Sequence, residues 1–214
     1  MKAFKPTEKT KITRLPKRGD YSEETIYSIL DEALYCTLSW CVNGEPFQMP
    51  TGFCRIDNTV YVHGSVGSHY MRLMADQQLP VCIGATLMDG IVLARSAFHH
   101  SVNYRSVILF SRPRKVTDAA ESYRVLEAFT EKMCKGRWSD VRKPTEGEWK
   151  ATMALAFNIE EASAKVRVGP PKDDEEDYTL PVWAGVVPLK LTAGVPVPDP
   201  VLAETIPLPP YLKG

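Results

Sequence analysis

The sequence predicts a mainly β fold, a small antiparallel barrel with peripheral helices. Three observations lead there. The hydrophobic period switches from 3.6 to 2 near residue 35 and stays close to 2 through most of the chain. Turn pairs (Asn43-Gly44, Asp57-Asn58, Asp89-Gly90) separate the alternating segments. Helical spacing returns only in a few flanking stretches. With 214 residues the chain is long enough for one sizeable core and short for two.

Taken in order, Ser22 is an N-cap, and Glu23 and Glu24 suit the positive end of a helix dipole. Ile26, Ile29, Leu30, Ala33 and Leu34 follow at helical spacing. Tyr35–Val42 alternates as a strand, Asn43-Gly44 is a hairpin signal, and residues 46–56 continue as a second strand. After Asp57-Asn58 comes a third strand at residues 59–62, then a short helix over about residues 67–78. Strand character resumes at residues 81–88, turns at Asp89-Gly90, and continues over residues 91–97. Residues 104–116 form a long strand; Thr117 or Asp118 then caps a helix carrying Tyr123, Leu126, Phe129 and Met133. A polar loop is expected at residues 135–148, then a short helix to about Thr152 and two last strands at residues 155–159 and 164–168. Residues 169–181 read as a solvated acidic loop. Prolines recur between apolar residues from Pro181 to Pro210, which rules out a regular helix and leaves an extended tail on its own barrel or on a partner. The division drawn is a barrel domain at 1–190 and a proline-rich tail at 191–214.

Charge is balanced, with 26 basic and 26 acidic residues, so no broad basic field exists to bind nucleic acid or a membrane surface. The five cysteines are odd in number and form no C-x-x-C pair; they read as buried reduced thiols, with Cys36 and Cys41 on opposite faces of one strand. The basic N-terminus has no apolar run to serve as a signal, and no stretch approaches the roughly 20 apolar residues of a membrane span. The expected setting is the cytoplasm.

Four stretches carry site chemistry. In VYVHGSVGSHYMRLM a strand hands over to a helix through Gly64, Ser65, Gly67 and Ser68. A helix N-terminus offers free N–H groups to a phosphate, with His63, His69 or Arg72 for charge; equally, Ser68 caps the helix and the glycines make the turn. In QMPTGFCRI, Pro50 lacks a donor and Gly52 a side chain, so Met49, Pro50, Thr51, Gly52 and Phe53 form an edge or bulged segment whose backbone suits a planar heterocycle. His99-His100 invites a metal reading, but neighbours on a strand face opposite ways and no carboxylate is near in sequence, so no metal is expected; the segment instead returns Arg105 and Ser106 to the barrel mouth. Trp183 anchors the tail or stacks on a bound ring. There is no nucleophile elbow, S-x-x-K or H-E-x-x-H, so an enzyme of this sequence would rest its chemistry on a cofactor.

The succession of segments resembles the pyridoxamine 5′-phosphate oxidase-like superfamily of FMN-binding split barrels, and within it the nitroimidazole-resistance (Nim) type branch. The likeness runs over roughly residues 14–189: ILDEA, P-T-G-F, V-Y-V-H-G-S before a short helix, N-Y-R-S-V-I-L-F, S-A-K-V-R-V-G-P-P and V-W-A-G-V-V-P. It implies a homodimer with FMN at the subunit interface. Met49 to Phe53 would lie along the isoalloxazine, His63, Gly64, Ser65, Ser68 and His69 would hold the phosphate, Ser106 beside Arg105 would touch the flavin, and Trp183 would sit near the ring or interface. His69-Tyr70 stands where the oxidase proper has an Arg-Lys pair, which leaves Arg72 to supply the cation. The function implied is an FMN-dependent oxidoreductase of a small molecule, with NAD(P)H as electron donor. The alternatives are a haem- or flavin-binding sensor or storage protein, with His63, His69, His99 or His100 as axial ligand, and a deazaflavin (F420) enzyme.

Overall fold

A computed structural model describes residues 2–213; the terminal residue at each end, where the domain division begins and finishes, lies outside it. The elements run β1 (Gly19–Asp20), α1 (Glu23–Glu32), β2 (Tyr35–Val42), β3 (Glu45–Gly52), β4 (Cys54–Ile56), β5 (Thr59–Ser65), α2 (His69–Asp76), β6 (Val81–Leu93), β7 (Ser101–Ser111) and β8 (Arg114–Lys115). They continue with α3 (Ala119–Met133), α4 (Arg137–Asp140), α5 (Glu146–Ala151), β9 (Thr152–Asn158), β10 (Glu161–Arg167) and β11 (Gly185–Pro188). All ladders are antiparallel. One sheet has the order β1-β10-β7-β6-β2-β3, with β11 added to β6; the other has the order β4-β5-β9-β8. This is a mainly β antiparallel barrel with peripheral helices, as the alternation predicts, and the split barrel that the resemblance implies.

Helix α1 begins as its sequence dictates: the Ser22 hydroxyl accepts from Thr25 N–H, and Ile26, Ile29 and Leu30 are fully buried. It stops at Glu32, because Ala33 turns extended, and Leu34 is left 45% exposed rather than on the buried face. The core joins these residues to Leu38, Phe53, Val60, Ile83, Leu109, Leu155 and Phe157 from both sheets. A smaller cluster (Cys54, Tyr61, Val125 and Ala156 among others) lies under α3, which starts at an Asp118 cap 2.7 Å from Glu121 N. Of the five thiols expected to be buried only Cys36 and Cys54 are; Cys82 and Cys134 are part-buried, and Cys41 is exposed because its odd spacing from Cys36 turns it to the other face of β2.

Several boundaries move. The expected strand over 46–56 breaks at Phe53, whose side chain enters the core, so β3 and β4 join different sheets. Asp89-Gly90 is no hairpin: β6 runs through it with a register shift between Met88 and Gly90, a bulge of one residue. The long strand divides at Pro113, β7 staying in the larger sheet and β8 joining the smaller. The presumed polar loop contains α4, where Trp138 is buried and the Gly136 and Trp138 N–H groups donate to Glu131 at 2.7 and 2.8 Å. The segment 185–188, at the start of the stretch expected to lie extended, pairs with β6 of its own barrel. Among the described residues no helix is long and apolar enough to cross a membrane.

Candidate functional site

The edge of the larger sheet supplies one wall. β3 ends the strand order, so one side of its backbone has no partner strand, and Pro46 and Pro50 within it have no N–H to offer. Phe47 and Met49 turn toward the core. Gly52 closes the strand because the Phe129 ring occupies the space beside it: a Cβ there would lie 3.0 Å from two ring carbons. Phe129 also meets the His63 imidazole edge-on, with centroids 4.3 Å apart. Gly52, Phe129 and His63 therefore form one contact chain from β3 through α3 to β5.

His63 and Gly64 lie inside β5, paired to Ala154 and Met153 of β9, so the turn comes later than the sequence predicts, at Val66 and Gly67. Burial holds the His63 imidazole below its ordinary pKa, and its Nδ1 is buried with no hydrogen-bond partner. A side chain at Gly64 would strike the Met71 sulfur, 2.7 Å from the Cβ position. Ser65 Oγ accepts from Gly67 N–H at 3.0 Å, and Ser68 Oγ accepts from Met71 N–H at 3.4 Å, so both hydroxyls take the capping role. Each keeps its own O–H to donate. The N–H groups of His69 and Tyr70 in the first turn of α2 have no partner among the described residues. His69 and Arg72 are exposed, and no ion pair engages Arg72 among the described residues. The turn thus presents two hydroxyls and two N–H groups, with Arg72 further along the same helix.

The structure does not bring every predicted residue to this point. The Arg105 guanidinium is taken up by two carboxylates, bonding Asp89 at 2.7 and 2.9 Å and Glu32 at 2.5 and 2.8 Å. The bulge in β6 places Asp89 for this bond. Ser106 donates to Lys165 O at 3.2 Å. Trp183 is 66% exposed just before β11, packed over Gly185. Arg105 and Ser106, neighbours on β7, face opposite sides of the larger sheet, and all three residues sit on or beside β6, β7 and β11, apart from the β3–β5–α2 turn.

Two residues of α3 are not among the predicted site residues. Phe129 is one. Lys132, one turn further along α3, is the other: its Nζ lies 3.5 Å from the Phe53 ring centre and donates to Leu30 O at 2.7 Å. Burial among Phe53, Cys36 and Cys54 lowers its pKa to about 8. The sequence signal existed, since Val125, Phe129 and Lys132 stand at i, i+4 and i+7 on one helix face.

The histidines separate by their partners. His99 Nε2 pairs with Asp174 Oδ2 at 3.1 Å, and Asp177 completes a group of three potential ligand atoms within 4.8 Å of one another. The carboxylates the sequence argument found missing thus arrive from the acidic loop, 75 residues away. Asp173 fixes that loop by accepting from the Arg95 and Ser96 N–H groups. His100 Nδ1 sits 2.9 Å from Ser96 O, which makes Nδ1 the protonated nitrogen and leaves the Nε2 lone pair free.

Residues 22–166 match the pyridoxamine 5′-phosphate oxidase family profile. The chain belongs to that family. Among curated proteins no sequence matches. Among solved structures the chain is similar to the flavocytochrome Anf3 of Azotobacter vinelandii, at 36% identity over 98% of this chain and 97% of that one, with TM-score 0.90. It is also similar to an FAD- and haem-binding protein of Mycobacterium smegmatis, at 36% identity over 91% and 95% of the two chains, with TM-score 0.87. A nitroimidazole-resistance-type protein of Bacteroides thetaiotaomicron shares the fold at 18% identity, 69% and 86% coverage and TM-score 0.59.

Proposed function

We propose that this chain is a flavin-binding redox protein of the flavocytochrome kind, holding a flavin along β3 and a haem as second cofactor. The observation that carries the reading is the 36% identity, over nearly the whole of both chains, to a flavocytochrome and to an FAD- and haem-binding protein. FAD is favoured over the FMN that the family resemblance implies, because the Mycobacterium smegmatis relative is described by FAD.

The residues fit a flavin. The β3 edge at Met49, Pro50, Thr51 and Gly52 would offer its unpaired backbone groups, those of Pro50 and Gly52, to a planar ring with polar rims, beside the Phe129 ring that fills the space at Gly52. Ser65, Ser68, Arg72 and the first N–H groups of α2 would receive the phosphate, with His63 and Gly64 between the two ends. When bound, the flavin supplies electron transfer in one- or two-electron steps. The chain's part is to orient it and to shield it with Phe129. A haem would be held better by His100, whose Nδ1 bond to a carbonyl fixes the tautomer, than by His63, which lies under Phe129. A small-molecule acceptor and NAD(P)H as donor complete the oxidoreductase reading, and Ser106, Arg105 and Trp183 fall to the interface of a homodimer.

The test is the absorption spectrum of purified protein, with released chromophores identified by mass. A flavin and a Soret band are expected, and His100→Ala should keep the flavin while losing the Soret band. Protein that is colourless and binds neither added FAD nor FMN would sink the proposal.

A further inference from the structure

The chain carries two apolar surfaces that nothing in the same chain covers. One is the segment after β11. Every residue from 187 to 208 is exposed, and Leu191, Val195, Val197 and Val201 are 87 to 91% exposed. Its two ends are nonetheless fixed. Pro188 pairs with Gly90 and Leu189 N–H donates to Asp89 O at 3.0 Å. At the far end Tyr211 donates to Asp140 at 2.6 Å, accepts from Arg137 at 3.1 Å, and packs on Gly136, whose positive φ keeps that position open. A segment held at both ends and solvated between them is a formed arm, whereas a frayed terminus would have one free end.

The other surface is a cleft of about 1070 Å³ at the opposite end of β6, walled by Trp40, Pro46, Phe47, Pro80 and Phe110. Trp40 and Phe47 stack at 5.8 Å with planes 13° apart. At its rim Lys9 pairs with Glu161 at 2.7 Å and Arg112 donates to Gln78 O, while Glu160 has no partner among the described residues and Ser39, Gln48, Ser111 and Asn158 add neutral polar groups. Aromatic walls with neutral polar groups between them suit a proline-spaced peptide, whose side chains are apolar and whose backbone carbonyls are free to accept. Residues 191–210 supply that composition, with Pro196, Pro198 and Pro200 alternating with Val195, Val197, Asp199 and Val201. Such a sequence favours polyproline II, so little ordering entropy opposes its docking.

The two surfaces do not meet in one chain. The arm leaves β6 beside Gly90, whereas the cleft opens at Val81 and Cys82, some eight residues or about 26 Å along the strand. The arm's other anchor is on α4. We propose that residues 189–209 form an exchanged arm that seats in the aromatic cleft of a second copy of this chain, with Val195 to Val201 as the seated part. This goes beyond the cofactor reading and does not depend on it.

Cys41 lines the cleft and is exposed, which provides a reporter. Val195→Cys, Val197→Cys and Val201→Cys would each be made in a Cys82→Ser background and mildly oxidised at full chain length. At least one should give a reducible dimer on a denaturing gel that disappears when Cys41→Ser is added. No Cys41-dependent dimer at any of the three positions would overturn the seat. A disulfide formed within one chain would place the arm in cis and overturn the exchange. Flavin and haem content can be read on the same samples, so loss of either cofactor is seen separately from loss of the cross-link.

Discussion

Lys132 gives the most quantitative expectation. Its ammonium is buried against Phe53, Cys36 and Cys54 with a single carbonyl partner, and its pKa falls from 10.5 to about 8. A change of that size, about 3.4 kcal/mol before allowing for the water that still screens a part-buried ammonium, costs the folded state about 3 kcal/mol when both states are protonated, below pH 8. The unfolded chain binds the proton more tightly, so between about pH 8 and 10.5 stability rises with pH as the folded lysine gives its proton up first. Lys132→Met keeps the stem's packing and removes the charge, at the loss of the bond to Leu30 O and the contact with the Phe53 ring, each worth about 1 kcal/mol. The variant should therefore be about 1 kcal/mol more stable at pH 7. Replacing buried charge by an apolar residue of similar volume has that sign. Cys36 and Cys54, pushed up to about 12 and about 11, oppose folding at high pH, but they do so in both proteins and largely cancel in the difference. Urea melts of the pair at half-unit steps from pH 6.5 to 10 measure it. The variant's advantage should fall by about 2 to 3 kcal/mol across the range and change sign. A variant less stable by one constant amount at every pH would show that the lysine is not buried as a charge.

Gly52→Ala puts a methyl 3.0 Å from the Phe129 ring, which His63 holds from its other side; a loss of about 1 to 3 kcal/mol and reduced flavin retention are expected by thermal melting and by the absorbance left after gel filtration. Unchanged values on both would remove Gly52 from the site. The Arg105 guanidinium bonded to Glu32 holds that carboxyl below its usual range, so its contribution is present above the ordinary carboxylate pKa and fades as pH falls through the lowered one. Glu32→Gln should flatten the acid limb of the stability curve by under about 1 kcal/mol, because the carboxylate is half exposed. A steeper acid limb in the variant would reverse the assignment.

Local grammar was legible and long-range supply was not. Ser22, Asp118 and Ser68 cap the helices that their neighbours predict, and the Asn43-Gly44 hairpin joins β2 to β3. Asp89-Gly90 carries a turn's chemistry, yet pairing on both sides of β6 outweighs it, so the pair becomes a bulge that presents Asp89 to Arg105. Residues 135–148 read as a polar loop, because the Glu131 carboxylate that organises α4 comes from the preceding helix. At the turn after β5, the glycines and serines were readable as a unit, since they contact one another. Phe129 reaches His63 from 66 positions away, Asp174 reaches His99 from 75, and Lys132 reaches Phe53 and Leu30 from 79 and 102, and single-sequence periodicity holds no distance information of that kind.

The two prolines of β3 have a consequence for solubility. A terminal strand with an open edge is a template for indefinite strand addition, the route by which sheets grow into aggregates. Pro46 and Pro50 share the same parity, so their missing donors fall on one side of the strand, which in a terminal strand is the open side. An incoming strand would find every second rung of its ladder incomplete, whereas the carbonyls on that edge remain usable. The edge can thus receive a flat ligand while refusing another β-strand.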